Sequence, residues 1–179
     1  MRKLACLTFV TLFFITLAAC AKIKSVDKVD DMTVEVHTSD RSIPSLDEYC
    51  GAYYIFGNEP GTQTFDCEVP FISKARIYFG WNGKDSTVLD TNLSAMTWEL
   101  FIDEHQINLD DFEPSHRSGK DYAGNPVKAL VWDLDLVNIS PGKHTYRLVW
   151  KSEVPIDDGY NVHAPGTYEN IVNFIIPEK

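Results

Sequence analysis

Short runs in which apolar and polar residues alternate recur along most of the chain. The clearest run is Lys128–Ile139, in which four large apolar residues alternate with Val131, Asp133 and Asp135. Ala95–Asp103 has the same period. A period of two residues is typical of a β-strand that buries one face. Further strands are predicted at Met32–His37, Ala52–Phe56, Lys74–Trp81, Gln106–Leu109, Tyr146–Trp150 and Glu169–Ile176.

Turn-forming residues separate these runs. Asn82-Gly83, Ser140–Lys143 and Pro165-Gly166 follow or precede predicted strands, and a hairpin is expected around Glu104-His105. After the first 20 residues, no window of 11 or more residues shows a capped helical stripe. Short strands divided by Gly, Pro, Asn and Asp are typical of an all-β antiparallel sandwich.

The alternation also predicts a core. The large apolar side chains of three strands should point into one interface between two sheets, namely Trp98, Leu100, Trp132, Leu134, Leu148 and Trp150. Asp133 and Asp135 then fall on the opposite, exposed face, where charges discourage edge pairing. A carboxylate pair spaced in this way could also serve in acid–base catalysis.

The first 31 residues have a different character. A basic start at Arg2 and Lys3 precedes the uncharged run Leu4–Ala19, which is the layout of a secretory signal, so residues 1–19 are predicted to be a signal peptide. Leu17–Cys20 resembles the bacterial lipobox. That resemblance implies cleavage before Cys20 and its acylation, and an ordinary secretion signal with a chance cysteine is the alternative.

Residues 20–31 are polar and charged and are predicted to be a lipidated tether, followed by one domain over residues 32–179. Ala21 at the second mature position resembles the signal for outer-membrane sorting, if the host has two membranes. The expected location is therefore outside the cytoplasm, on a membrane.

Charge limits the partners. The chain carries a net charge of −10, and removal of Arg2 and Lys3 with the signal takes it to −12. Such a surface repels nucleic acid and anionic lipid headgroups. Membrane attachment is therefore expected through the acyl chains on Cys20, and two or three chains hold firmly where one does not.

Two cysteines remain after Cys6 and Cys20 are set aside. Outside the cytoplasm, Cys50 and Cys67 are expected to form a disulfide, with two buried thiols as the alternative. Closing so short a loop stabilises the fold by about 3 kcal/mol in the chain-entropy model.

A local motif points to a fold family. Ile139–Tyr146, which contains Ser140-Pro141-Gly142-Lys143-His144, resembles the hairpin of bacterial immunoglobulin-like extracellular domains. The Trp98 strand, Asp158-Gly159 and Pro165–Thr167 extend the likeness. The resemblance implies an immunoglobulin-like β-sandwich and an extracellular setting, and it carries no catalytic residues.

Metal and cofactor signals are weak. The five histidines are far apart and show no zinc-binding spacing. Acidic loops could supply calcium ligands, but neither loop has an EF-hand pattern. The candidates are Asp110, Asp111, Asp157 and Asp158. No cofactor is predicted.

Function is predicted only by class. The sequence has no nucleophile motif and no phosphate loop. Trp81 and Tyr160 lie beside turns, where an exposed ring could contact a ligand. We expect a lipid-anchored cell-envelope binding module without catalytic activity, whose partner is an envelope protein or a glycan. A carbohydrate- or peptide-binding accessory domain is one alternative, and a small envelope hydrolase is another.

Overall fold

Two β-sheets packed face to face make up the computed structural model, which describes residues 26–36, 42–52, 57–70, 72–121 and 123–178. The chain order begins with β1 (Val26–Val29), β2 (Met32–Val36), α1 (Leu46–Cys50), β3 (Gly61–Glu68), β4 (Lys74–Gly83), α2 (Ser86–Ala95) and β5 (Met96–Ile102). It continues with β6 (His105–Ile107), a 3-10 turn (Leu109–Asp111), β7 (Ser115–Lys120), β8 (Pro126–Val137), β9 (Gly142–Ser152), β10 (Ile156–Asp157), β11 (Val162–His163) and β12 (Gly166–Ile176).

The first sheet has the order β1-β2-β8-β4. β4 pairs with one edge of β8, and β2 and β7 share the other edge. On that edge, β2 pairs with residues 134–137 of β8 and β7 pairs with residues 126–131. The second sheet has the order β3-β12-β9-β5-β6. All of these pairs are antiparallel except β3 with β12, which is parallel. The predicted all-β sandwich is confirmed, with one parallel pair that the sequence pattern did not indicate.

Aromatic and aliphatic side chains fill the space between the sheets. The ring of Trp132 stacks on Phe79 at 5.4 Å between centroids and lies 6.2 Å from Trp98 of the opposite sheet. Leu100, Leu134, Leu148 and Trp150 are fully buried, whereas Trp98 and Trp132 are half-buried. The predicted interface is confirmed.

The helix α2 was missed by the sequence analysis. Its N-cap, Asp85, accepts a hydrogen bond from the Val88 N–H at 2.9 Å. Only Leu89 and Asn92 of its ten residues are buried. A helix with so narrow a buried face leaves no stripe of apolar residues to detect.

The tether prediction needs correction at its end. Val26–Val29 forms an edge strand paired with β2, and Val29 is buried. The four residues of β1, Val-Asp-Lys-Val, do not alternate, so they give no periodic signal for a strand. The signal peptide, Cys20 and most of the predicted strand Ala52–Phe56 lie outside the described residues. Within the described part of the chain, no helix has the length and apolar character needed to cross a membrane.

The exposed face predicted for Asp135 is wrong. Its side chain is 1% exposed, and Arg76 Nε lies 2.8 Å from its carboxylate. The strand register is as predicted, but Arg76 is the direct cross-strand neighbour of Asp135, so the guanidinium group covers the carboxylate. Asp133 is 14% exposed and pairs with Arg117. Each aspartate therefore has its own arginine.

Cys50 and Cys67 form the predicted disulfide, with their Cα atoms 5.1 Å apart. The bond joins the end of α1 to β3, an edge strand of the second sheet. The disulfide therefore fixes a short helix against an edge and does not link the two sheets through their centre.

Candidate functional site

The connection between β9 and β12 forms a protruding hairpin at one end of the sandwich. β10 pairs with β11 through Ile156 with His163 and Asp157 with Val162. We call residues 153–165 the apical hairpin, and we call the end of the sandwich that carries it the apical end. β4 and β9 end here, and β8 and β12 begin here.

Two aspartates hold the turn of the apical hairpin. Asp157 Oδ1 accepts the Gly159 N–H at 2.8 Å. Asp158 Oδ1 accepts the N–H groups of Tyr160 and Asn161, both at 2.7 Å. Aspartate side chains stabilise such turns by accepting hydrogen bonds from backbone N–H groups that follow within a few residues in the chain. The carboxylates predicted as calcium ligands therefore stabilise the turn.

The hairpin is also bonded to the body of the domain. The Lys84 N–H donates to Asp158 O at 2.8 Å, and Asn92 Nδ2 donates to Asp157 O at 3.0 Å. The Tyr160 hydroxyl donates to Pro126 O at 2.8 Å. These bonds attach both sides of the turn to the ends of β4, α2 and β8, so the hairpin has one position relative to the sandwich.

Aromatic rings support the hairpin from below. His163 is 6% exposed, lies 5.0 Å from the Trp81 ring, and has Nδ1 3.2 Å from Gly57 O. Trp150 and Tyr168 stack beneath it with centroids 3.8 Å apart. This second core cluster gives the hairpin a rigid base.

Tyr168 links the hairpin to the loop before β3. Its hydroxyl donates to Ala164 O at 2.7 Å and lies 3.0 Å from Asn58 O. Burial raises the pKa of Tyr168 above the ordinary value of 10.0, and the negative charge of Glu59 raises this pKa further. The neutral phenol is therefore the form that holds the two loops together.

Large apolar side chains are exposed on this ordered hairpin. Val154 is 50% exposed, Tyr160 42% and Val162 56%. They are three of the five large hydrophobic residues that are exposed in the described part of the chain. Glu153 and Asp157 beside them are also exposed. Ordered apolar groups with a polar surround are typical of protein interaction surfaces.

The two rings predicted to contact a ligand, Tyr160 and Trp81, differ in their exposure. Tyr160 is exposed, as expected for a ring beside a turn. Trp81 is 7% exposed, so its predicted exposure is wrong. It faces the second core cluster, where Trp150 lies 5.1 Å away and the α2 residue Leu89 covers the end of β4. Val154 and Val162 could not be predicted from the sequence, because isolated valines in a polar loop give no periodic signal.

The acidic candidates do not come together. Asp110 and Asp111 lie in the 3-10 turn after β6, whereas Asp157 and Asp158 lie in the apical hairpin. Among the residues that the structure describes, no three His, Cys, Asp or Glu side chains are grouped to hold a metal ion.

The motif that resembles immunoglobulin-like hairpins closes the opposite end of the sandwich. His144 Nδ1 lies 2.7 Å from Asp103 Oδ2, and His144 Nε2 lies 2.9 Å from Ser140 O. Asp103 Oδ1 also accepts the Thr145 N–H at 2.7 Å. These contacts tie the β5–β6 turn to β9, so the motif has a structural role here.

Comparisons with known proteins do not assign the chain to a family. No family model matches the chain, and no curated protein matches it. One similar solved structure is PbICP-C in complex with falcipain-2, at 18% identity, 67% of this chain, 92% of that chain and a TM-score of 0.33. Another is the cysteine protease inhibitor EhICP2 from Entamoeba histolytica, at 11% identity, 66% of this chain, 96% of that chain and a TM-score of 0.32. At these scores, neither likeness bears on what this chain binds.

Proposed function

We propose that this chain is a lipid-anchored module of the cell envelope that binds a protein through the apical hairpin and catalyses no reaction. One observation carries the proposal: Val154, Tyr160 and Val162 are exposed on a hairpin whose turn is already fixed by hydrogen bonds. A loop ordered before binding loses little conformational entropy on association, which favours affinity.

The envelope location is supported by two features. The Cys50–Cys67 disulfide fits an oxidising compartment. The lipobox-like Leu17–Cys20 supports acylation of Cys20, and only residues 21–25 separate Cys20 from β1. A chain of that length reaches at most about 20 Å. An acylated Cys20 therefore keeps the module beside the membrane.

The polar groups of the domain favour binding over catalysis. Asp133 and Asp135 pair with arginines, and His144 and His163 contact backbone carbonyls. The tryptophans that could form a flat sugar-binding row, Trp81, Trp98, Trp132 and Trp150, pack in the two core clusters. A protein partner therefore fits the exposed side chains better than a glycan.

Photo-crosslinking in the host envelope tests this proposal. A photoreactive amino acid replaces Val162 in the full-length chain, and the same amino acid at Ile175, which is 37% exposed at the opposite end, is the matched control. We expect a discrete adduct from position 162 and none from position 175. Equal labelling at both positions, or no adduct at 162, would contradict the proposal.

A further inference from the structure

A small cavity lies at the apical end, where the hairpin meets the end of β4 and the segment after β7. Its volume is about 120 Å³. The polar residues that line it are Asn82, Asp121, Asp158, Tyr160 and Asn161. Among the residues that the structure describes, no lysine or arginine lines this cavity. Its walls therefore carry two carboxylates and no positive charge.

Hydrogen bonds fix both carboxylates in place. Asp121 accepts the N–H and the side-chain amide of Asn125, at 2.7 and 2.9 Å. The side-chain bond from Asn125 lowers the pKa of Asp121 below its ordinary value of 3.8, so this carboxylate is charged at neutral pH. Asp158 Oδ1 accepts two N–H groups of the hairpin turn. An ionised carboxylate has about four acceptor sites, so each of the two can accept further hydrogen bonds.

Neither carboxylate forms an ion pair with a lysine or arginine that the structure describes. His163 Nε2 lies 3.6 Å from Asp158 Oδ2. The Nδ1 atom of His163 faces the Gly57 carbonyl, which can only accept a hydrogen bond, so the proton of the neutral ring lies on Nδ1. The neutral ring then has no proton to donate to Asp158. The two carboxylates are therefore open to a cation from outside the chain.

The hairpin beside the cavity carries charge of the same sign. Residues 153–165 contain Glu153, Asp157 and Asp158 and no lysine or arginine. Both Glu153 and Asp157 are exposed. A partner that contacts the exposed apolar side chains of the hairpin therefore also meets its acidic groups, and complementarity requires positive charge on the partner.

Lysines also lie near the base of the hairpin, but none of them lines the cavity. Lys84 and Lys120 are each followed in the chain by an aspartate. Lys128 Nζ donates to Ser118 Oγ at 2.8 Å. These lysines therefore leave the acidic character of the hairpin and the cavity unchanged.

We propose that the protein partner of the apical hairpin inserts an arginine side chain into this cavity, between Asp121 and Asp158. The inference rests on the proposed function and adds the charge of the partner to it. A guanidinium group is planar and has five N–H donors, so it can bond to two carboxylates at once. The ring of Tyr160 in the cavity wall also attracts a cation. A cavity of about 150 Å³ admits benzene, so about 120 Å³ is enough for the smaller guanidinium group.

Nuclear magnetic resonance titration of the ¹⁵N-labelled chain with Nα-acetyl-arginine amide tests the cavity directly. We expect saturable shifts of the backbone amide signals of Asp121 and residues 158–161, with a dissociation constant in the millimolar range. Nα-acetyl-citrulline amide, which has nearly the same shape and no charge, is the control and should bind about tenfold more weakly. Equal affinity for the two probes, or no shift with the arginine probe, overturns the inference.

Charge-removing variants locate the binding groups. Asp121→Asn should weaken binding of the arginine probe about tenfold, because a charged acceptor becomes a neutral one. Because Asp121 is also bonded to Asn125, Asp158→Asn must act in the same direction. The matched control is Asp110→Asn, which makes the same change in net charge in the 3-10 turn after β6 and should leave binding unchanged. If Asp110→Asn weakens binding equally, net charge is the cause and the inference fails.

The crosslinking experiment separates this inference from the proposed function. With the photoreactive amino acid at Val162, Asp121→Asn should lower the yield of the adduct about tenfold, whereas Asp110→Asn should not. An unchanged yield in Asp121→Asn overturns the inference and leaves the proposed function standing. Absence of the adduct in the parent chain contradicts the proposed function itself.

Discussion

Arg76 and Asp135 show how a single contact changes the interpretation of a sequence. The side chain of Asp135 is 1% exposed and that of Arg76 is 15% exposed. The alternation in β8 correctly assigned Asp135 to the face opposite Leu134. It could not show that the strand neighbour is an arginine, because β4 and β8 are far apart in the chain.

Asp135→Ala should lower the free energy of unfolding by about 3–5 kcal/mol, because it removes the buried carboxylate that pairs with the mostly buried guanidinium group of Arg76. Asp133→Ala is the control, and loss of its more exposed pair should cost about 1 kcal/mol or less. Denaturant titration gives both values. The double variant Arg76→Met/Asp135→Leu should be more stable than Asp135→Ala, and a double variant that is equally unstable would contradict this account.

The titration of Tyr168 should lower the free energy of unfolding in alkaline solution. Burial raises its pKa in the folded state above the value of 10.0 that it has in the unfolded chain, and Glu59 adds to this effect. The folded state therefore holds the proton more tightly. The contribution of Tyr168 to the free energy of unfolding is complete below about pH 10. It is lost as the pH rises through the pKa that Tyr168 has in the folded state.

Tyr168→Phe should therefore flatten the fall in unfolding free energy between pH 9 and 11, measured by urea titration. The same alkaline slope in Tyr168→Phe and the parent protein would show that Tyr168 does not cause it.

At the level of elements, the sequence predicted the long strands well. β4, β5, β8 and β12 coincide with predicted runs, and the run predicted at Tyr146–Trp150 covers the central part of β9. These strands bury large apolar side chains. β3 and β7 were missed, since nearly all of their residues are exposed edge positions without alternation. The apical hairpin was missed because its order comes from side-chain bonds of aspartates, which have no periodic pattern.

The helix α2 begins after a capping residue, Asp85. Asp85 accepts the Val88 N–H at 2.9 Å and caps the helix. Asp85→Ala should cost about 1 kcal/mol of stability, because a backbone donor of the first turn loses its partner. Asp90→Ala, on the exposed side of the same helix, is the control and should change the unfolding free energy by about 0.5 kcal/mol or less. Equal losses would mean that the cap does not matter.

At the level of the whole molecule, the β-sandwich and the disulfide followed from the sequence, whereas the arrangement of the apical end did not. Alternation can be read within a single strand, and the pairing of cysteines follows from their number, so neither depends on how distant segments pack. The apical end joins the apical hairpin to the ends of β4 and β8, which are far apart in the chain. Trp81 was misassigned for the same reason, because the rings that it packs against, those of Trp150 and His163, lie far along the chain.

The proposed anchor is a property of the whole molecule, and it is tested separately from the hairpin. Cells that express Cys20→Ser should incorporate no labelled palmitate into the chain, whereas the parent chain should be labelled, because the thiol is the acceptor. Cys6→Ser is the control and should label as the parent does. Equal labelling of Cys20→Ser and the parent would contradict acylation at Cys20.

The central claim is that the apical hairpin is ordered before any partner binds. The order parameters of backbone ¹⁵N nuclei in residues 153–165 of the isolated chain measure this directly. The bonds of Asp157 and Asp158 predict values of about 0.85, equal to those of β9 and β12. Values below about 0.6 in the hairpin, with rigid values in the neighbouring strands, would contradict the claim.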